Sequence, residues 1–443
     1  MVCPICRRSA ELIPLAQLEA GIEAVAQVAR DHLQDPAWSR GICRRCVVDY
    51  ERARTELPEE LQLTEGARRP ILPTPLRLGA TTAYTGRGVT MALLDSGFYP
   101  HPDLVQPRNR IRLYHDVTGG RGGKRALARA DVSSWHGMMT STVAAGNGHL
   151  SGGLYRGLAS DADLVLIKVG TVQRIKPERI QAGIEWVLRQ LKTTPVQILN
   201  ISCGGDGEAS YLTDPLCQAV EEAVRQGIVV ICAVGNLGHL QHHPVVPPAN
   251  APAAITVGGL DDKNWVDHQL YTLYRHSYGP TCDGLQKPEI LAPSIWLAAP
   301  ILPGTPTAEQ ARLLVRLRGA PPESWPALLR RHKGVDPELD AVRDQDPHVI
   351  GQLLTLKIRG GNIINAAYKH VDGTSFAAPI VSSLVAQMLE ARPELTPMQI
   401  KRLLIETAVR LPNLAPERQG WGLIQPAAAV AAAADLGPAA ALG

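Results

Sequence analysis

Residues 88–97, "GVTMALLDSG", join a nearly unbroken apolar run to an aspartate and a Ser-Gly turn. Such a run is typical of a strand buried on both faces of a parallel sheet. Similar runs lie at residues 162–170, 196–205, 228–236 and 253–259, and helical patterns separate most of them, notably at 177–191 and 214–227. This alternation indicates βαβ crossovers, so the sequence predicts an α/β fold with a doubly wound parallel sheet covered by helices.

Polar residues follow several of these predicted strands. Asp95, the segment 202–205 and Asn236 each stand where an apolar run ends. Ligands of open α/β sheets bind at the carboxyl ends of the strands, so these residues form one candidate site. Taken singly, each also has a structural interpretation, since Asp before Ser-Gly suits an Asx turn and Gly-Asn is a common turn dipeptide.

Ser375 lies in "HVDGTSFAAPIVSS", residues 370–383, between a glycine and an apolar helical pattern. Its hydroxyl suits either a helix cap or a nucleophile, and a nucleophile requires a base, an orienting acid and an oxyanion donor. His136, at the start of a helical pattern of small residues, is a candidate base, although a lone histidine is more often structural. The chain order Asp95, His136, Ser375 is the order found in subtilisins.

Three segments make this similarity specific. Residues 86–104, 136–148 and 372–386 resemble the aspartate, histidine and serine segments of the subtilisin-like (subtilase) serine proteases. Further similar stretches lie at 155–169, 198–205, 278–294 and 420–430, so the resemblance covers residues 80–432 apart from one insertion. It implies a sheet of the subtilisin type. Secreted members of the family have a signal peptide and a folding prodomain; neither is recognisable in this sequence, which therefore resembles the intracellular branch.

The resemblance also implies catalytic roles for four residues. Ser375 would attack a peptide carbonyl, with His136 taking and returning its proton and Asp95 orienting the imidazole. The Asn236 side chain and the Ser375 backbone N–H would stabilise the oxyanion. The helix after Ser375 would direct its positive dipole end at the same charge, with Pro379 expected in its first turn.

Substrate binding is implied at the segment that follows the third predicted strand. An extended peptide would form backbone hydrogen bonds with an edge made of Ser202, Cys203, Gly204 and Gly205. Residues 245–259 resemble the segment that forms part of the pocket for the side chain before the cleaved bond. The resemblance implies a cis Pro247–Pro248 bond there, and Val246 stands near a position that is often glycine in the family. We therefore expect modest-sized residues before the cleavage site.

The sequence departs from the family pattern at several places. Met138 and Met139 replace the usual Thr-His after the histidine, and Ser294 stands where glycine is usual. An insertion at about 295–368 carries helical patterns at 307–319 and 324–332. A lid, a partner surface and an inert surface addition are all compatible with it, because surface insertions cost little stability.

The first 62 residues predict a small, mainly helical zinc-binding domain. Two C-x-x-C pairs, each able to place two thiolates on one ion, provide a tetrahedral Zn²⁺ site from Cys3, Cys6, Cys43 and Cys46. Redox motifs rank lower, because no βαβ pattern surrounds either pair. An amphipathic helical pattern, residues 15–33, lies between the pairs. Partner docking, autoinhibition and nucleic-acid contact all remain open as roles for this domain.

Residues 63–80, with several prolines, predict an extended linker, and residues 81–443 the peptidase domain. With 45 Lys and Arg against 42 Asp and Glu, charge provides no support for a nucleic-acid partner. The sequence shows neither a signal peptide nor an apolar run long enough for a membrane span, and we expect a cytoplasmic protein.

The leading hypothesis is an intracellular serine endopeptidase that is regulated by its N-terminal zinc module or its insertion, each of which offers a surface for a regulatory protein. A catalytically silent subtilase fold, serving as a scaffold or zinc-dependent adaptor, is the main alternative. A zinc-ribbon nucleic-acid binder with an attached protease is a third. Calcium is frequent in the family, but the sequence assigns no ligands to it.

Overall fold

Residues 90–95 of the apolar run form an interior strand of the main sheet. The computed structural model of the chain describes residues 11–14, 42–44, 71–120, 122–127, 131–171, 174–265 and 270–436. The strands are β1 Leu12–Ile13, β2 Ile42–Cys43, β3 Thr90–Asp95, β4 Ile111–Asp116, β5 Asp163–Lys168, β6 Ile198–Ile201, β7 Val229–Ala233, β8 Ile255–Asp261, β9 Thr272–Leu273, β10 Gly279–Pro280, β11 Gln286–Lys287, β12 Ile290–Pro293, β13 Leu297–Pro300 and β14 Tyr368–Val371.

Helices connect most of these strands. They are α1 Thr74–Arg77, α2 Pro102–Val105, α3 Lys124–Leu127, α4 Ser134–Ala145, α5 Pro177–Gln190, α6 Pro215–Arg225, α7 Pro306–Arg318, α8 Trp325–Arg331, α9 Pro337–Val342, α10 Pro347–Gly360, α11 Thr374–Ala391, α12 Pro397–Thr407, α13 Pro416–Gln419 and α14 Pro426–Asp435, with short 3₁₀ turns at His149–Ser151 and Pro322–Ser324.

The main sheet is parallel, as the sequence predicts. Its strand order is β12-β8-β7-β6-β3-β5-β4, and β9 adds an antiparallel pair to β8. Side chains of β3 alternate between two cores, since Met91 and Leu93 face one side and Ala92 and Leu94 the other. Helices α4 and α11 cover the first face, while α5 and α6 cover the second. The order reverses at β3, so the carboxyl ends of β3, β5 and β6 meet at one crevice.

The insertion forms a separate helical unit with its own core. Helices α7 to α10 pack on one another through buried residues that include Leu314, Leu329, Leu339 and Ile350. The predicted patterns at 307–319 and 324–332 correspond to α7 and α8. The unit leaves the domain after β13 and returns at β14, and these two strands pair antiparallel. Its two ends are therefore held together directly before the serine segment.

The predicted extended linker at 63–80 differs from the structure where residues are described. Ile71, Leu72 and Arg77 are buried, and one helical turn, α1, runs through Thr74–Arg77. Its prolines lie at the N-cap and in the first turn, where a missing N–H does no harm, so a pattern typical of extended chain starts a helix here. The domain that contains the main sheet therefore begins before residue 81.

Candidate active site

Asp95 and His136 are hydrogen-bonded at the carboxyl end of β3. His136 Nδ1 lies 2.7 Å from Asp95 Oδ1 and 2.9 Å from Oδ2. The carboxylate is 1% exposed and also accepts from the Ser96 N–H and the Thr140 hydroxyl. Because Asp95 is an acceptor, Nδ1 carries the proton and the Nε2 lone pair remains available as a base.

Helix α4 brings His136 to this carboxylate by close packing. A Cβ at Gly137 would lie 2.1 Å from the Gly97 carbonyl oxygen and 2.9 Å from Asp95 Cβ, so only glycine fits. Burial acts to lower the pKa of His136, but the Asp95 charge and hydrogen bond outweigh it and the pKa is raised. The pair is therefore arranged to stabilise a protonated imidazole.

Ser375 is the second residue of α11. Gly373 occupies the N-cap without a side-chain cap, so the interpretation of Ser375 as a helix cap is wrong. The Ser375 hydroxyl donates to the Ser202 carbonyl oxygen at 3.2 Å. The next side chain, Phe376, has its ring centroid 5.6 Å from that of His136. The serine segment and the Asp95–His136 pair are therefore close neighbours.

Pro379 affects the start of α11, but it lies further along the helix than the sequence analysis expects. It is the sixth residue of α11, in the second turn rather than the first. Without an N–H it leaves the Ser375 carbonyl with no helical donor. The Ser202 hydroxyl donates to that carbonyl at 3.0 Å, which satisfies it.

Two buried residues that the sequence analysis missed support Ser202. Asn200 Nδ2 donates to the Ser202 hydroxyl at 2.9 Å, and Ser382 donates to Asn200 Oδ1 at 3.0 Å. These contacts link strand β6 to helix α11 through a fully hydrogen-bonded chain. A signal was present, because Asn200 interrupts an apolar strand.

Asn236 lies beside the start of α11. Its Oδ1 accepts from both the Thr374 backbone N–H and the Thr374 hydroxyl, each at 3.0 Å. This contact fixes the amide, so that Nδ2 is the group left to donate. A Cβ placed on Gly373 would lie 3.8 Å from Nδ2, so the amide nitrogen is near the turn that carries Ser375.

The predicted substrate edge follows β6. Gly205 N–H donates to the Pro247 carbonyl at 2.7 Å, and a Cβ on Gly204 would lie 3.2 Å from that oxygen and 3.4 Å from Val246 Cγ2. Ser202 is buried under Ser375 by the two contacts described above. Burial raises the pKa of the Cys203 thiol well above its ordinary value, so this thiol stays protonated.

The departures from the family pattern are accommodated by packing. Met138 and Met139 are buried in the core beside α11. Ser294 is fully buried, and both its N–H and its hydroxyl donate to the Leu260 carbonyl. The Pro247–Pro248 peptide bond is cis, which confirms the expectation.

The predicted zinc ligands are not tested. Cys3, Cys6 and Cys46 lie outside the described residues, and only the backbone of Cys43 is described, in β2. In the described ranges, no group of three or more His, Cys, Asp and Glu side chains is arranged to hold a metal. Those same ranges contain no helix that is long and apolar enough to cross a bilayer.

Known proteins match this chain over most of the sheet and site. The sequence model of the subtilase family matches residues 86–422. Serine protease AprX of Bacillus subtilis is 30% identical over 347 residues, which are 77% of this chain and 65% of AprX. The major intracellular serine protease of the same organism is 31% identical over 157 residues, 34% of this chain and 44% of that protein.

Solved structures show the same fold. Fervidolysin from Fervidobacterium pennivorans, a keratinolytic enzyme related to subtilisin, has a TM-score of 0.55 at 20% identity, and the match covers 86% of this chain and 47% of fervidolysin. A protease from Pseudoalteromonas arctica has a TM-score of 0.53 at 21% identity, and the match covers 85% of this chain and 97% of that protease.

The chain belongs to the subtilase family, whose named members here are serine proteases. It spans 65% of the length of AprX and 44% of the length of the major intracellular serine protease.

Proposed function

We propose that this chain is a serine endopeptidase that hydrolyses peptide bonds through an acyl-enzyme. The observation that carries the proposal is the buried 2.7 Å contact between Asp95 and His136 Nδ1, which leaves Nε2 to act as a base, and the imidazole is a neighbour of Phe376 next to Ser375. A buried carboxylate that orients an imidazole beside a serine is the arrangement needed to activate a hydroxyl.

In the proposed reaction the Ser375 hydroxyl transfers its donor bond from the Ser202 carbonyl to His136 Nε2. Catalytic hydrogen bonds of this kind often tighten only when substrate is bound. His136 takes the proton as Ser375 Oγ attacks the substrate carbonyl, and returns it to the leaving amine. Asp95 stabilises the imidazolium, consistent with the raised pKa of His136.

The oxyanion of the tetrahedral intermediate would accept from Asn236 Nδ2 and the Ser375 backbone N–H. The contacts of Asn236 Oδ1 with Thr374 support this role, because they fix the amide before substrate binds. The N-terminus of α11, a helix of 18 residues, adds favourable backbone partial charge at the same place.

A serine-directed fluorophosphonate tests this function. Wild type is expected to be labelled at Ser375 and to hydrolyse peptides, whereas Ser375→Ala does neither. A folded wild type that resists labelling would support the silent scaffold or adaptor instead.

Comparing the cleavage products of wild type and Ser375→Ala in a host lysate then identifies substrates and site preference.

We also propose that substrates bind as extended peptides along Ser202, Cys203, Gly204 and Gly205. A Cβ on Gly204 would be 3.2 Å from the Pro247 oxygen, which is tighter than an ordinary contact, so glycine suits the close approach of a peptide backbone there. The name of the relative from Bacillus subtilis supports an intracellular location for this chain. Expression of a tagged full-length chain in its host, followed by cell fractionation, tests the cytoplasmic assignment.

The N-terminal region is proposed to bind Zn²⁺ through Cys3, Cys6, Cys43 and Cys46. Backbone pairing of Leu12 with Cys43 supports this, since Leu12 follows Cys6 by only six residues in the sequence. Metal analysis of wild type and Cys43→Ser tests it, with one zinc per chain expected only in wild type. Calcium stays an expectation without assigned ligands.

Regulation by this module or by the insertion is part of the same proposal. Residues 71–80 belong to the peptidase domain, so a test of the module must keep them. Removal of residues 1–70 is expected to raise the rate of peptide hydrolysis if the module inhibits. An unchanged or lower rate in a soluble truncation would contradict inhibition.

A further inference from the structure

A buried arginine ahead of the sheet contacts the chain segment that leads into the insertion. Arg77, in α1, places Nε 2.9 Å from Asp262 Oδ2, and the two side chains are 0% and 1% exposed. Its Nη1 donates to the Trp296 carbonyl at 2.7 Å and its Nη2 to the Ile295 carbonyl at 3.2 Å. One guanidinium thus holds a carboxylate and two successive carbonyls.

The residue before these two carbonyls contacts the serine segment. The Ser294 carbonyl accepts from the Gly373 N–H at 2.8 Å, two residues before Ser375. Three consecutive residues, 294 to 296, therefore connect Arg77 on one side with the start of α11 on the other. The path is short and consists of hydrogen bonds, of which the two from Arg77 are partly buried.

The turn between these contacts is strained and fixed from several sides. Trp296 has φ of 61°, a left-handed conformation that is unfavourable for a bulky residue. Arg77 holds its carbonyl, and its indole N–H donates to Asp261 Oδ1 at 3.2 Å. Its ring also packs on the ring of His370 in β14, with the two ring centroids 4.9 Å apart. Such a backbone conformation persists only when its surroundings determine it.

The position of Arg77 in the chain also connects this contact to the N-terminal region. It lies in the segment that joins the first 70 residues to the sheet, and the Leu72 N–H of that segment donates to Asn264 Oδ1 at 2.8 Å. A change at the N-terminal region that lifts this segment would withdraw the guanidinium from both carbonyls. Docking of residues 71–80 and placement of the serine segment are thus physically linked.

We propose that Arg77 is a positioning residue for Ser375, so that full catalytic rate requires residues 71–80 to be docked. This inference rests on the proposed peptidase function. The competing interpretation is that Arg77 only stabilises the fold. Loss of stability does not separate the two, because removal of one partner from a buried ion pair destabilises in either case.

Arg77→Met in the full chain, compared with Lys287→Met, separates them. Lys287 is also 1% exposed, pairs with Glu289 at 2.6 Å and donates to the Ala251 and Ala254 carbonyls. It precedes β12, at the opposite end of the sheet from the site. Both variants are expected to have a lower melting temperature than wild type.

The measurements are kcat, KM and the rate of fluorophosphonate labelling, at a temperature where all proteins are folded. Arg77→Met is expected to lower kcat and the labelling rate by about 10-fold to 100-fold with little change in KM, since small misplacement of reacting groups has effects of that size. Lys287→Met is expected to retain both rates within about twofold. Arg77→Lys keeps the charge but lacks the planar guanidinium that donates to two carbonyls at once. Its kcat and labelling rate should lie between those of wild type and Arg77→Met.

Unchanged kcat and labelling in a destabilised Arg77→Met would overturn the inference, as would an equal loss in Lys287→Met. If Arg77→Met does not fold, Arg77→Lys decides alone, with a reduced kcat at unchanged KM in support and an unchanged kcat against. A folded wild type that neither hydrolyses peptides nor reacts with the label overturns the proposed function itself, whatever the variants do.

Discussion

The Ser202 hydroxyl donates to the backbone carbonyl of Ser375 at 3.0 Å, in the place that a backbone N–H at position 379 would take in a regular helix. Pro379 thus frees the carbonyl of Ser375, and a side chain from the neighbouring strand binds it. The contact fastens the start of α11 to the carboxyl end of β6, where substrate is proposed to bind.

Ser202→Ala is expected to reduce the free energy of unfolding by about 1–3 kcal/mol, because a buried carbonyl loses its donor. Pro379→Ala restores an N–H that can donate to the same carbonyl. The double variant should therefore be more stable than the sum of the single effects predicts. Denaturant unfolding of the four proteins measures this coupling, and simple additivity would contradict it.

Asp95→Asn removes the charge that raises the pKa of His136, and burial, which lowers it, then dominates. The acid limb of kcat/KM is expected to move to lower pH. The maximal rate should fall by up to about 10⁴-fold, because the amide no longer favours the required tautomer. A pH–rate profile of both proteins tests the sign, and a limb that moves to higher pH would disprove the assignment.

Asn236→Asp keeps an oxygen acceptor for Thr374 and removes the proposed oxyanion donor. We expect kcat to fall by at least about 10²-fold to 10³-fold, since a donor is lost and a negative charge is added. KM should change little, because the donor acts mainly in the transition state. Steady-state kinetics measure the two constants, and a loss confined to KM would indicate a role in ground-state binding.

Val246→Ala is expected to enlarge the pocket beside Gly204 and Pro247. Larger side chains before the cleaved bond should then gain about 10-fold in kcat/KM relative to small ones. Val245→Ala is the matched control, because Val245 is buried in the core next to α6. A peptide library with one varied position measures both profiles. Equal profiles for Val246→Ala and wild type would show that Val246 does not border the pocket.

Acid is expected to destabilise the domain through two histidines, His276, which is buried, and His370, which is half-buried. His276 is fully buried, donates from Nε2 to the Arg418 carbonyl at 2.8 Å, and burial lowers its pKa from 6.5 to about 4. Between these values the unfolded chain binds more protons, so stability falls as pH falls from 6.5 to 4. Burial lowers the pKa of His370 to about 4 as well, with the same sign.

His276→Gln keeps a donor for Arg418 and cannot titrate. The free energy of unfolding of this variant should depend less steeply on pH across that window, by up to one proton, or about 1.4 kcal/mol per pH unit. Denaturant unfolding at a series of pH values provides the slopes. Identical slopes for variant and wild type would show that His276 does not contribute to the pH dependence of stability.

The sequence predicts the sheet and most of the site because both depend on local patterns. The run ending in Asp95 is typical of a buried strand, and a glycine directly after His136 reflects packing that no other residue permits. Asn236 and Ser375 stand at an end of a strand and the start of a helix, where local sequence signals are strongest. Backbone periodicity therefore places Asp95 and Asn236 at one edge, whereas the roles of His136 and Ser375 follow from the resemblance to the subtilases.

Contacts between distant segments are not accessible in this way. Arg77 lies in a proline-rich stretch that is typical of extended chain, and its partner Asp262 is 185 residues away in the numbering of the chain. Thr140, Ser382 and the carbonyls of 295 and 296 have no sequence signal of their role. Burial of these polar groups is decided by tertiary packing, which composition and periodicity do not encode.

Strands β13 and β14 pair from Leu297 with Val371 to Pro300 with Tyr368, so the chain enters and leaves the helical insertion through neighbouring backbone positions. Because both ends of the insertion are held by this strand pair, its helices can be lengthened, exchanged or removed while β13 and β14 keep their positions beside the serine segment. During evolution, new recognition surfaces can therefore arise in the insertion while the candidate active site is unchanged.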